Sequence, residues 1–290
     1  VSIAARRNNP VVPELPEVET VRRTLARNLT GAHVRAVELR RPDVCSCHDD
    51  RAPTPRSLLV GLTIDRLRRH GKQLAIISRQ GRVLCVHLGM TGQLLLTPSA
   101  CRLPRRDHLH VLWSLDTTRG PCTLVFRDPR RFGGLCSFPS FDALVQARWS
   151  LLGPDALDLT PDHLHAALSR TRRPVKAALL DQRVAAGIGN IYADEALFHA
   201  AIAPTRPGAS LDASEHARLA LAIRAVLRAA IRRRGASLRD FVDPHDRPGR
   251  SQEHFCVYGR AGQPCFRCRT ILRSCLLAQR TTVWCPVCQH

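Results

Sequence analysis

Near the start of the chain Val18, Val21 and Leu25 recur at helical spacing, while Arg22, Arg23 and Arg27 fall on other faces. That pattern predicts an amphipathic helix. Pro16 suits its first turn, and Glu17 and Glu19 sit where the positive end of the helix dipole favours acids. The pattern then shortens. Val34–Leu39, Thr63–Leu67, Leu74–Ile77, Val83–Leu88, Leu94–Leu96, Leu109–Leu115 and Thr123–Phe126 are brief apolar runs, the early ones punctuated by Gly61, Gly71 and Gly81. Short, evenly spaced runs of this kind predict strands of a β-sandwich with the first helix laid against it. Between them Arg41–Ser57 is polar and proline-containing, and reads as a loop.

From about Ser140 helical spacing takes over. Thr160-Pro161-Asp162-His163 has a capping threonine followed by proline at the first helical position. Further helices are expected over Val175–Asp181, Tyr192–His199 and Ser214–Arg233, the last two linked by Pro204–Ser210. The final segment, Val257–His290, is rich in cysteine.

Cys265-x2-Cys268, sixteen residues, and then Cys285-x2-Cys288 is the spacing of a four-thiolate zinc ribbon. One structural zinc ion is expected there. The cysteines at 45 and 47 lack a second pair nearby and read as a loop accident. Cys85, Cys101, Cys122, Cys136, Cys256 and Cys275 read as core or incidental thiols. Without a signal-like segment, their scatter through a long chain argues for a reducing compartment. No run of apolar residues is long enough to span a membrane.

The formal net charge is +20, from 44 basic and 24 acidic residues. Such an excess suits a polyanionic partner, because each phosphate contact releases a counterion. Nearly all of it is arginine; lysine occurs only at Lys72 and Lys176. Lysine can lose its proton near neutral pH when its surroundings demand it, and arginine cannot. Lys72, in the turn Arg69-His70-Gly71-Lys72, is therefore a chemical candidate. His87–Gly92, which holds the single methionine, Met90, and Asp128–Gly133 are turn-bearing segments after strands. A thioether, an aromatic ring and an arginine on exposed turns have the shapes needed to fill a gap in a base stack. Taken alone, Met90 and Phe132 read better as core. Gly187-Ile188-Gly189-Asn190 forms a tight turn with backbone donors at a helix start, a place where a phosphate can sit. An ordinary helical hairpin would look the same.

Pro13-Glu14-Leu15-Pro16-Glu17-Val18-Glu19-Thr20 resembles the opening signature of the formamidopyrimidine-DNA glycosylases. Leu180–Glu195 resembles that family's helix–two-turn–helix clamp nearly residue for residue, and the resemblance runs from Pro13 to Gln289. It implies an α+β multidomain fold: an extension at 1–12, a catalytic β-sandwich with its flanking helix at 13–140, a helix–two-turn–helix domain at 150–250 and a zinc-finger hairpin at 257–290. The implied activity is excision of oxidised purines from double-stranded DNA, followed by strand cleavage through β- and δ-elimination. The implied catalytic set is Pro13 as amine nucleophile, Glu14 as general acid, Lys72 as proton-transfer and phosphate group, and Arg280 for the second elimination. DNA contacts are implied for Met90, Arg130 and Phe132 as inserted side chains, for Arg106, His108 and Arg172, for Lys176 near the lesion, and for Asn190 on a phosphate. A soluble bacterial monomer of the cytoplasm, associated with the nucleoid, is the expected setting.

A free amine at Pro13 requires that the preceding residues be absent, so Val12 is expected to be the true initiator, read as methionine and removed. Three departures stand out. Arg106 replaces a frequent histidine, Arg172 replaces a lysine, and Arg250-Ser251 stand where many relatives carry aromatics, which leaves preference for 8-oxoguanine open. A non-catalytic lesion-binding relative and the oxidised-pyrimidine endonuclease VIII branch are the alternatives.

Overall fold

The structure is a computed structural model that describes residues 12–103 and 105–290; the extension expected before Val12 lies outside them. Helix α1 (Leu15–Leu29) opens with a reciprocal capping box between Glu14 and Glu17. It buries Val18, Val21, Leu25 and Leu29, so the apolar stripe seen in the sequence is the packed face.

Nine strands follow: β1 (His33–Leu39), β2 (Cys45–Cys47), β3 (Ile64–His70), β4 (Gln73–Ser78), β5 (Val83–His87), β6 (Gln93–Pro98), β7 (Leu109–Thr117), β8 (Gly120–Arg127) and β9 (Gly134–Phe138). They form two sheets, β1-β7-β8-β6 and β2-β9-β5-β4-β3. Val34, Val111, Trp113, Leu124 and Phe126 of one sheet meet Leu74, Ile76, Leu84 and Val86 of the other, and α1 closes the same core. The stretch Arg41–Ser57 is not all loop as expected. Cys45–Cys47 runs parallel to β9 at the sheet edge, a pairing between distant segments that a run of three residues cannot announce.

Helices α2 (Phe141–Ala147), α3 (Pro161–Leu168), α4 (Val175–Leu179), α5 (Asn190–His199) and α6 (Ala213–Arg232) come next. The last four share a second core with Leu15 of α1. A hairpin of β10 (Arg273–Leu277) and β11 (Arg280–Trp284) completes the chain. Its two turn residues, Ala278 and Gln279, are both left-handed, with φ of 45° and 58°, the handedness that matches strand twist in a two-residue hairpin. Among the described residues no helix is long and apolar enough to cross a membrane.

Buried charge joins the sandwich to the helices. Arg69 of β3 reaches Glu19 of α1 (3.2 Å) and both carboxylate oxygens of Asp155. Asp155 also accepts from the Gly71 amide (2.9 Å), so it clamps the β3–β4 turn that carries Lys72. Gly71 has φ +54°, and a Cβ there would lie 3.0 Å from Ala186 Cβ; only glycine fits this turn without strain. Replacing Asp155 by alanine strands the buried Arg69 with half its partners, a loss expected to cost about 3 kcal/mol in urea unfolding. Unchanged stability would show that the clamp contributes nothing.

Candidate active site

Glu14 lies where the two bodies of the protein meet. Its carboxylate is buried under the N-terminus of α5 and accepts from the amides of Gly189 (2.7 Å), Ile191 (2.8 Å) and Tyr192 (3.4 Å). The backbone follows it: the Leu15 amide donates to the Gly187 carbonyl at 3.0 Å. Both glycines of the turn are demanded by this approach. A Cβ on Gly189 would sit 2.5 Å from Glu14 Cδ, and one on Gly187 would sit 2.6 Å from Leu15 Cδ1. The donors that the sequence offers to a phosphate are therefore occupied by a carboxylate of the same chain. Asn190 borders the adjoining cavity with its Oδ1 buried and unpaired.

Burial pushes the Glu14 carboxyl above its usual range, against the opposing pull of Lys72 and the three amides. Glu17 is pushed up to about 7 by burial and by the neighbouring Glu14 charge. It accepts from Tyr192 Oη (2.6 Å), the Ala236 amide (2.7 Å) and the Glu14 amide (2.8 Å). Burial lowers the Lys72 ammonium below its usual range, and Glu14 and Glu17 oppose that. A carboxyl shifted up and an ammonium shifted down approach each other in acidity, the condition for moving a proton near neutral pH.

Glu14, Lys72, Arg280 and Asn190 line one cavity of about 640 Å3, with Val12 also on its wall. Val12 and Pro13 line a second, small cavity with Glu17, Met90 and Phe241. Pro13 thus lies beside the buried carboxylates of Glu14 and Glu17, and the residue before it borders both spaces.

The loops carrying Met90 and Phe132 pack backbone against backbone. A Cβ on Gly89 would lie 2.3 Å from the Phe132 carbonyl carbon. Buried Asp128 ties them together, accepting from Thr91 Oγ1 and from the Gly133 amide (2.7 Å). Phe132 is 52% exposed, and the Arg130 guanidinium lies 4.7 Å from its ring centroid. Met90 is half-buried; Arg106, His108 and Arg172 are exposed. Arg172 does not border the large cavity, whereas its neighbour Arg173 does.

Lys176, expected near the lesion, has its partners inside the protein. It is wholly buried and paired with Asp194 of α5 at 2.7 Å, and it donates to Thr281 O (3.1 Å) and Thr282 Oγ1 (2.8 Å) of β11. The Val283 amide donates to Asp194 as well, at 3.1 Å. The lysine therefore fastens the Arg280 hairpin to the helices and offers solvent nothing. Its position in the sequence, one residue inside a short helix, looks the same whether it points in or out.

Cys265, Cys268, Cys285 and Cys288 bring their sulfurs within 4.8 Å of one another. Separations of 3.4 Å (Cys268–Cys285) and 4.0 Å (Cys265–Cys288) bracket the ~3.8 Å edge of a tetrahedron with metal–sulfur bonds near 2.3 Å. Four thiolates fit one such ion and leave no position for substrate.

Several participants have roles that no local pattern states. Thr91 and Asp128 lie in the two turn-bearing segments and Asp194 in the clamp-like one, but their contacts, like those of Asp155, join parts far apart in the chain. Tyr192 and Glu17 fall inside helical patterns that explain them fully as helix residues.

The family profile described as the formamidopyrimidine-DNA glycosylase N-terminal domain matches residues 12–135, and the corresponding H2TH domain matches 152–242. A formamidopyrimidine-DNA glycosylase of Xanthomonas oryzae pv. oryzae is 43% identical over 96% of this chain and all of its own length. One from Xanthomonas campestris pv. campestris is 42% identical with the same coverage. Among solved structures, the MutM (Fpg) protein of Thermus thermophilus superposes with a TM-score of 0.81 at 38% identity, covering 96% of this chain and 98% of its own. The Lactococcus lactis Fpg in complex with DNA containing an abasic site gives 0.84 at 31%, covering 96% and 99%.

The buried charges set how stability responds to pH and to substitution. Because Glu17 has a folded-state pKa near 7 against 4.5 when exposed, its contribution to stability is full below about pH 4.5 and lost as pH rises through about 7. The free energy of unfolding should fall over that window, by up to ~3 kcal/mol for this group, thermal midpoints should fall with it, and the slope should flatten in Glu17→Gln. Lys176→Met should cost about 3–5 kcal/mol by leaving Asp194 buried and unpaired, with much of it recovered in the double variant that adds Asp194→Leu.

Proposed function

Since the chain belongs to the formamidopyrimidine-DNA glycosylase family, and so is a DNA glycosylase acting on damaged DNA, we propose that it releases oxidised purines from duplex DNA and then cuts the strand through a Schiff base on Pro13. The observation that carries this is Glu14 and Lys72 on the wall of one cavity at the junction of sandwich and helices, both moved toward neutrality, with Pro13, next to Glu14 in the chain, on the adjoining cavity.

The damaged nucleotide must leave the stack before its sugar is accessible, and Met90, Arg130 and Phe132 on their braced loops suit the space it vacates. The Pro13 nitrogen, as a free secondary amine, attacks C1′ while the bond to the base breaks, and the amine proton passes to the departing base. Glu14, whose hold on a proton burial strengthens, gives a proton to the ring oxygen and the sugar opens to an iminium. That cation draws electrons from C2′; a proton leaves C2′ and the C3′–oxygen bond breaks. Loss of the C4′ proton and rupture of the C5′–oxygen bond follow, and water then frees the proline. Lys72 serves the proton transfers of the first elimination, and Arg280 holds phosphate and serves the second. The +20 charge supports affinity for the duplex, with Arg106 and His108 on its exposed face. The four-cysteine site suits zinc, which stabilises the hairpin bearing Arg280. The setting we assign is a bacterial cytoplasm, with the protein acting as a monomer.

Borohydride trapping on abasic-site DNA tests this. Protein beginning at Pro13 should form a covalent adduct; protein retaining residues 1–12 should form none, because its Pro13 nitrogen is an amide. Adducts from the longer form alone, or from neither form, would overturn the proline mechanism, and absence from both would favour a lesion-binding protein without catalysis. Glu14→Gln should slow base release by about 10²–10⁴-fold, measured in single-turnover assays.

A further inference from the structure

Cys256 reads from its spacing as an incidental thiol, yet it lies in a second cluster of metal-binding side chains. Glu195 and His199 are one turn apart on α5, a spacing that puts two side chains on the same helix face. Cys256 meets them from the segment entering the cysteine ribbon. The carboxylate oxygen, imidazole nitrogen and sulfur of the three all lie within 4.8 Å of one another, with Sγ 3.9 Å from His199 Nε2. None of them borders the Glu14–Lys72 cavity.

The carboxylate is already oriented. Oε1 of Glu195 accepts from the amides of Val257 and Tyr258, and Oε2 accepts only from that of Cys256, each at 2.9 Å. Oε2 therefore keeps a lone pair on a carboxylate that three backbone donors hold in place, as outer hydrogen bonds do for metal ligands. Bonds of ~2.0–2.3 Å to a tetrahedral ion would need ligand separations of ~3.3–3.8 Å, so the cluster closes on an ion with side-chain movements alone. His199 is exposed, which opens a path from solvent. His254 lines a small cavity together with Glu195 and His199, and lines the neighbouring groove together with His199 and Cys256. It, or a water, would complete the coordination.

We propose that Glu195, His199 and Cys256 form a second, exchangeable site for a divalent ion of the zinc class, distinct from the four-cysteine site. Thiolate, imidazole and carboxylate together select that class over magnesium or calcium. Two anionic ligands balance the charge of the ion. Arg267, stacked on Phe198 with its guanidinium 4.3 Å from the ring centroid, and Arg233 on the cavity wall oppose it, so the site holds its ion less tightly than four thiolates do. Occupancy would staple α5 to the segment that leads into the ribbon.

Full-length protein with its four-cysteine site loaded is dialysed against increasing free Zn2+, and bound metal is counted by mass spectrometry. Wild type is expected to take up a second equivalent, while Cys256→Ser and His199→Ala stay at one. Both changes spare the Glu195 hydrogen bonds, so folding is preserved, and circular dichroism checks it. Co2+ added to the zinc-loaded protein should give a sulfur-to-cobalt charge-transfer band that Cys256→Ser lacks. A wild type that stops at one equivalent, or a second equivalent retained by either variant, overturns the proposal.

Discussion

One carboxylate organises this molecule. Glu14 stands at the end of a helix that belongs to the sandwich, and its oxygens fill the positive N-terminus of a helix that belongs to the other half. Helix dipole and backbone donors favour its ionised form, while burial favours the protonated one, and burial wins in direction. The same contact locks the relative position of the two halves and sets the acidity of the group at the site. Structure and chemistry share a single constraint, which is why the turn facing Glu14 must be glycine at both close approaches.

The other joints are also made of paired charge. Arg69 with Glu19 and Asp155 holds the sandwich to the helices, and Lys176 with Asp194 holds the helices to the hairpin that carries Arg280. Apolar contacts would join these parts with less geometric demand; buried pairs tolerate one arrangement, because displacement strands a charge in low dielectric. Each joint ends on a residue of the cavity or next to one: Lys72 follows Gly71, and Arg280 precedes Thr281. The cavity is thus assembled from three parts of the chain, each fastened by its own clamp. Both lysines of an otherwise arginine-based chain sit in this region, one on the cavity wall and one in a clamp. The first has the lowered proton affinity that arginine does not attain. The second is a compact ammonium that fits between Asp194 and two threonines.

The sequence by itself determined a good deal. Helical spacing of Val18, Val21 and Leu25 defined the buried face of α1, and the run of short strands gave the sandwich, because period and punctuation are local properties of a chain. The four-cysteine cluster was legible from spacing, and the family from the Pro13–Thr20 and Leu180–Glu195 signatures. What only the tertiary structure decided depends on contacts across long separations. The strand at Cys45–Cys47 exists because β9 lies beside it. The donors at the start of α5 serve Glu14 instead of an external phosphate. Lys176 points inward because Asp194 waits there, and Cys256 leaves the company of incidental thiols because α5 brings Glu195 and His199 to it. Burial, and with it the shifts in proton affinity of Glu14, Glu17 and Lys72, is a property of neighbours, and the order of residues does not state who they will be.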